Sequence, residues 1–172
     1  MMTSNKLDLD IGHDLIDNGT SDDYYTPPYI FKALNLEFDL DVCAPPSGVP
    51  WIPAKRHYSL IDDGLSQKWT GTVWMNPPFS KVTPWIEKFL THRDGIALVN
   101  FAKSKWLDRL WIEAEAILVL PSNLKFMTAD GVLKRIFMPC IMVAMDDKSI
   151  NSLKNSGLGQ IRLLDTPSDL RL

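Results

Sequence analysis

Thr72-Val73-Trp74-Met75-Asn76-Pro77-Pro78-Phe79 is the stretch on which the reading of this chain turns. Its first four residues form a short apolar run, which predicts a buried strand. An Asn, two prolines and an aromatic therefore stand where a strand ends. In an open α/β sheet that edge is where ligands bind. The prolines fix φ and offer no N–H to compete for the space. The Asn76 side-chain oxygen and the Pro77 carbonyl are then a pair of acceptors. Such a pair suits an amino nitrogen conjugated to a ring, such as adenine N6, whose lone pair is delocalised and poorly nucleophilic. Acceptors on both of its N–H bonds pull the nitrogen toward tetrahedral geometry and free that lone pair. Phe79 can stack on the face of the base. The plainer alternative is a strand, a Pro-Pro turn and a core Phe, because Asn-Pro is a common turn signal.

On either side of this stretch, strands and helices alternate. Residues 29–34 predict a helix with Pro27 and Pro28 at its start, where proline is tolerated. Phe38 to Ala44 predicts the first strand, broken by Pro45-Pro46-Ser47-Gly48, and residues 49–70 read as irregular. After Phe79 come a helix over 84–92 with Thr83 as candidate N-cap, a strand over 96–101 and a helix over 106–114. Strands over 116–120 and 141–145, a short helix over 148–155 and a strand over 161–164 complete the chain. The alternation predicts a mostly parallel sheet covered on both faces. The strands at 116–120 and 141–145, with a loop around Asp130-Gly131 between them, predict an antiparallel edge hairpin.

Further motifs occur in order along the chain. Tyr24-Tyr25-Thr26-Pro27 comes first, then Phe38-Asp39-Leu40-Asp41-Val42-Cys43-Ala44 and Ala54-Lys55-Arg56-His57-Tyr58. Asp63-Gly64-Leu65 and Trp69 precede the central tetrapeptide; Trp85-Ile86-Glu87-Lys88 and Leu124-Lys125-Phe126 follow it. With Asn76-Pro77-Pro78-Phe79, this ordered set resembles the phage-type DNA N-6-adenine methyltransferase family (Dam-like). The resemblance implies a Rossmann-like S-adenosylmethionine-dependent methyltransferase fold, S-adenosylmethionine as methyl donor and DNA, expected to be double-stranded, as partner; no metal is expected, because the chain has no ligand cluster. It implies that Asn76, Pro77, Pro78 and Phe79 hold a flipped adenine. It implies that Tyr25, Thr26 and Pro27 line the methionine end of the donor, with Asp41 and Ala44 where the first strand meets it. A carboxylate near a sulfonium is also sensible electrostatically, since the donor's positive charge is lost on transfer. Asp41 has an equal alternative as a strand-end residue bonding its own loop amides.

The chain departs from wider methyltransferase patterns in places. Pro45-Pro46-Ser47-Gly48 stands where many of them carry a Gly-x-Gly loop. Asp62 and Asp63 are the nearest acidic candidates for the donor ribose, and Asp63 could equally meet the adenine amine or cap a turn. Val99-Asn100-Phe101-Ala102-Lys103-Ser104 replaces a Leu-Pro-x-Arg stretch that family members often have.

Other constellations are weaker. His13, His57 and His92 are scattered, with no ligand cluster at metal spacing. Ser80 lacks a Gly-x-Ser-x-Gly elbow. Trp69, Trp74 and Trp85 most simply fill core, and packing is also the better reading of Trp51 and Trp106. Lys103, Lys105 and Arg109 follow one strand, while Lys125, Lys134 and Arg135 fall in the late loop. If those loops share the strand-end edge, Lys103, Lys105 and Lys125 become candidate DNA phosphate contacts.

Composition agrees with one catalytic domain over 22–172 after a mobile arm at 1–21. The 172 residues carry a net charge of −3, which argues against a polybasic binder but not against a local basic face. Cys43 and Cys140 read as reduced core residues. No apolar run reaches the roughly 18 residues needed to span a bilayer. The expected setting is a bacterial cytoplasm, with phage or prophage origin. Two alternatives stand beside DNA methylation. One is N-methylation of RNA adenine or protein glutamine, and the other a non-catalytic phage protein that binds DNA or a host factor on the same fold.

Overall fold

The computed structural model describes residues 24–136 and 138–164, so the arm expected at 1–21 lies outside the described residues. Helix α1 (Pro28–Leu34) leads into β1 (Leu40–Ala44), β2 (His57–Ser59) and β3 (Val73–Met75). A 3-10 turn (Phe79–Lys81) follows, then α2 (Thr83–His92), β4 (Gly95–Asn100), α3 (Lys105–Glu113) and β5 (Ala116–Val119). Strands β6 (Lys125–Met127) and β7 (Leu133–Arg135) precede β8 (Cys140–Met145), α4 (Asp147–Asn155) and β9 (Gln160–Leu163).

Seven strands form one sheet in the order β2-β1-β3-β4-β8-β5-β9. β2, β1, β3 and β4 pair in parallel. β8 runs antiparallel to both β4 and β5, and β9 antiparallel to β5. The fold is thus mixed α/β, with β1 to β5 pointing one way and only β8 and β9 opposed.

Side chains alternate across the sheet and bury on both faces, as the apolar runs require. Val73 and Met75 join Ile86, Phe89 and Leu90 of α2 and Trp106 and Leu110 of α3 in one core. Trp74 points the other way, among Ile30, Phe31 and Leu34 of α1 and Leu153 of α4. Its ring lies edge-on to Phe31 at 4.8 Å and 5.5 Å from Phe38.

The structure corrects several expectations. The antiparallel pair β5–β8 is not an edge hairpin, because β8 is inserted between β4 and β5 and β9 takes the edge. All six residues of β8 are buried, which an edge position could not provide. Between them lies not a plain loop but a separate two-stranded ribbon, β6–β7. β2 arises inside the segment read as irregular; its exposed His57 and half-buried Tyr58 gave no apolar signal. Thr83 is not the cap of α2: Val82 holds that position and no side chain caps the helix.

Gly95 starts β4 at φ 134°, and a Cβ there would sit 2.1 Å from the Val73 carbonyl oxygen. This close approach sets the register of β4 on β3. Gly95→Ala is expected to destabilise the fold by about 1–3 kcal/mol, as forced overpacking does. Urea denaturation checks it, and an unchanged midpoint would refute the close approach.

Candidate active site

After β1 the chain pairs β2 on one side and then β3 on the other. The strand order therefore reverses at β1, and a crevice opens where β1 and β3 end. Such switch points are where open α/β sheets bind ligands. A cleft of about 360 Å³ lies there, a size that suits a small-molecule ligand. Its walls include the sequence candidates Tyr25, Thr26, Asp41, Ala44, Asp63, Asn76 and Pro78. Pro27, Pro77 and Phe79 do not line it. Pro27 and Pro77 are buried beside it, and Phe79 is half-buried against the core that holds Trp74.

Asn76 follows β3 directly, and its Nδ2 donates to the Tyr24 carbonyl at 3.3 Å. That bond turns the amide so that Oδ1 is its remaining acceptor. The Tyr24–Pro27 segment is fixed in turn by a bridge to β6, in which Tyr25 and Met127 exchange N–H···O bonds of 2.7 and 2.8 Å. Trp51 Nε1 donates to the Thr26 carbonyl at 2.8 Å, so Trp51 braces this segment from the far side. The packing reading of Trp51 was correct.

Asp41 is almost wholly buried on β1, and its Oδ1 accepts from the Cys43 N–H at 3.2 Å. Burial outweighs that bond and pushes its carboxyl up to about 7. The strand-end reading of Asp41 therefore holds, and the same residue lines the cleft. Burial and the neighbouring Asp41 charge hold the Cys43 thiol well above its usual range.

The loop after β2 supplies the opposite wall. Asp62 accepts from the Ser59 N–H and hydroxyl, each at 2.7 Å, and so shapes the turn. Asp63, at φ 51°, is the acid that lines the cleft. Gly64 comes next because a Cβ there would meet the Val42 carbonyl oxygen at 2.2 Å. Trp69 Nε1 donates to the Gly64 carbonyl at 2.8 Å. Lys88 from α2 reaches the Leu65 carbonyl at 2.6 Å, bonds that of Gln67, and lies over the Trp69 ring. Trp85 stacks on Trp69 and also lines the cleft. The Asp-Gly-Leu, Trp and Trp-Ile-x-Lys motifs thus form one brace that holds Asp63 in place.

Pro45 and Pro46 line the cleft where a Gly-x-Gly loop was absent from the sequence. Gly48 closes this turn onto His57 instead, its N–H donating to the Pro45 carbonyl at 2.8 Å. The wall here is therefore apolar ring surface rather than a row of N–H groups.

Two cleft-lining side chains hold buried polar atoms with no hydrogen-bond partner, Thr26 Oγ1 and Trp74 Nε1. Sequence reading found Thr26 but took Trp74 for core alone. The missing signal was which polar atoms remain unsatisfied, and a linear pattern does not carry that.

Lys103, Lys105 and Lys125 are all exposed, on segments that leave the carboxyl-end edge of β4 and β5. Arg109 is committed elsewhere, to Glu113 at 2.8 Å and Glu87 at 3.7 Å. Among the described residues no group of His, Cys, Asp and Glu is placed to hold a metal ion. Among them, too, no helix is long and apolar enough to cross a membrane.

Residues 15–144 match the family model for DNA N-6-adenine-methyltransferase (Dam), and the chain belongs to that family. No curated protein and no solved structure matches it.

The raised carboxyl of Asp41 has a signed consequence. Its neutral form's contribution to stability is fully present below pH 3.8 and is lost as pH rises through about 7. Asp41→Asn removes that loss. The ligand-free variant is expected to be more stable than wild type at pH 8, by up to about 4 kcal/mol, and to converge with it near pH 4. Urea denaturation at both pH values checks this. A variant less stable at pH 8 would show that the carboxylate is satisfied.

Proposed function

We propose that this member of the family methylates N6 of adenine in double-stranded DNA, using S-adenosylmethionine as donor on a Rossmann-like methyltransferase fold. One observation carries the reading. The Asn76-Pro77-Pro78-Phe79 turn leaves β3 at the switch-point cleft, with the Asn76 amide oriented by Tyr24 in the cleft wall.

The cleft residues fit the donor's chemistry. Its positive sulfonium finds the acids Asp41 and Asp63 in the wall. Its polar amino-acid end finds Thr26, whose hydroxyl is buried without a partner. Pro45, Pro46 and Val49 present apolar surface of the kind a nucleoside face packs against. When bound, the donor supplies an electrophilic methyl group.

The chain's own residues prepare the nitrogen that receives it. Asn76 Oδ1 and the Pro77 carbonyl accept from the two N–H bonds of the adenine amino group. This localises the lone pair and aims it. Pro77 and Pro78 keep N–H donors away from the same space. Phe79 stacks on the base, which leaves the duplex because pairing hides N6. No base needs to start the reaction, since the nitrogen becomes strongly acidic only as the methyl arrives and its proton then passes to water.

Lys103, Lys105 and Lys125 contact phosphates on the same side. The β6–β7 ribbon and the loop at 45–62 supply what sequence preference there is.

Long-read modification mapping of DNA from cells that express the protein tests the activity directly. Asn76→Ala is expected to lower methylation by on the order of 10²-fold, as loss of a transition-state contact does. Donor affinity in the same variant should hold. Near-normal methylation by Asn76→Ala would remove the tetrapeptide from the reaction.

A further inference from the structure

Trp74 is fully buried, and its ring packs against Phe31 and Phe38. It also lines the cleft, and its Nε1 has no hydrogen-bond partner. An indole N–H is a donor only. A buried donor left unpaired is costly, so native structures almost always satisfy it. Two other indoles of this site region are satisfied by carbonyls, Trp51 by Thr26 and Trp69 by Gly64. Trp74 is the exception, and it lines the cleft, from which a ligand can bring an acceptor.

The Thr26 hydroxyl, likewise buried and unpaired, lines the same cleft. The acids there, Asp41 and Asp63, serve positive charge. Thr26 and Trp74 supply donors, which serve negative charge. A sulfonium amino acid carries both kinds of group.

We infer that Trp74 Nε1 and Thr26 Oγ1 together bind the carboxylate at the methionine end of the donor, so that Trp74 is a donor-binding residue as well as a core one. This rests on the proposed function and deepens it. The Trp74 ring belongs to the same strand that delivers Asn76, with Met75 between them pointing to the opposite core. Anchoring the carboxylate on β3 therefore ties the position of the donor to that of the catalytic turn.

The test is calorimetric and needs no turnover. S-adenosylhomocysteine, the demethylated donor, is titrated into wild type and Trp74→Phe, with adenosine as a probe that lacks the carboxylate. Loss of one hydrogen bond to a charged group is expected to weaken S-adenosylhomocysteine binding by about 10- to 100-fold. Adenosine binding should be unchanged. Equal binding of S-adenosylhomocysteine by both proteins overturns the inference, and so does an equal loss for both ligands. Failure of the wild type to bind S-adenosylhomocysteine would instead overturn the proposed function.

If Trp74→Phe does not fold, wild-type protein labelled with ¹⁵N-tryptophan gives the same answer. The Trp74 indole resonance is identified through its contacts with the Phe31 and Phe38 rings. It should move downfield and become protected from exchange when S-adenosylhomocysteine is added, but not when adenosine is. An indole signal that stays in place with S-adenosylhomocysteine bound refutes the assignment.

Discussion

Where β3 stops, the backbone runs out of donors. Met75 is the last strand residue, and Asn76 is followed by two prolines that carry no N–H. Most ligand-binding loops at this edge of an α/β sheet offer N–H groups and attract phosphate. This one offers carbonyl and amide oxygens instead, and so attracts N–H bonds. The surroundings are arranged around that inversion. The Tyr24 carbonyl accepts from Asn76 Nδ2 and so fixes which end of the amide is its oxygen. Pro45 and Pro46 keep the neighbouring turn from turning donors into the cleft. The buried donors at the wall that lack a partner belong to side chains, Thr26 and Trp74.

Much of the fold was legible because its strands are buried on both faces. Continuous apolar runs marked β3, β4, β5 and β8, and prolines marked the start of α1. What escaped were elements whose stability comes from partners distant in sequence. β2 has one exposed and one half-buried residue among its three, and it exists because β1 offers it a parallel edge. The β6–β7 ribbon has only three residues in each strand, and its bridge to Tyr25 spans about a hundred residues of chain. Order within the sheet was also hidden. Burial of all six residues of β8 says that it is interior, but not which strands flank it.

The site was legible where a residue's chemistry is unusual for its position. An acid within an apolar strand, Asp41, and an Asn before two prolines both stood out. Phe79 shows the limit, since half-burial against the core and a free stacking face look alike in a linear pattern. The Asp-Gly-Leu and Trp-Ile-x-Lys motifs were recognised without a reason, and the structure supplies one. Gly64 is small because β1 passes within contact of it, and Lys88 gathers the carbonyls of the loop that follows. Lys88 thereby supports Asp63 from outside the cleft, while Gly64 and Trp85 also line it.

The bridge between Tyr25 and Met127 limits how this enzyme can be re-engineered or diversified. The ribbon that carries Lys125 is hydrogen-bonded to the same short segment that places Thr26 in the cleft and holds Asn76 through Tyr24. It is therefore not a detachable module. A graft that replaces the ribbon with one of different length or register would carry its error into the cleft wall and the Asn76 amide together. A graft that keeps the Met127 N–H and carbonyl in place would leave both undisturbed, whatever side chains it bears. Changes at this position are accordingly tolerated as exchanges of side chain on an unchanged backbone, rather than as inserted loops.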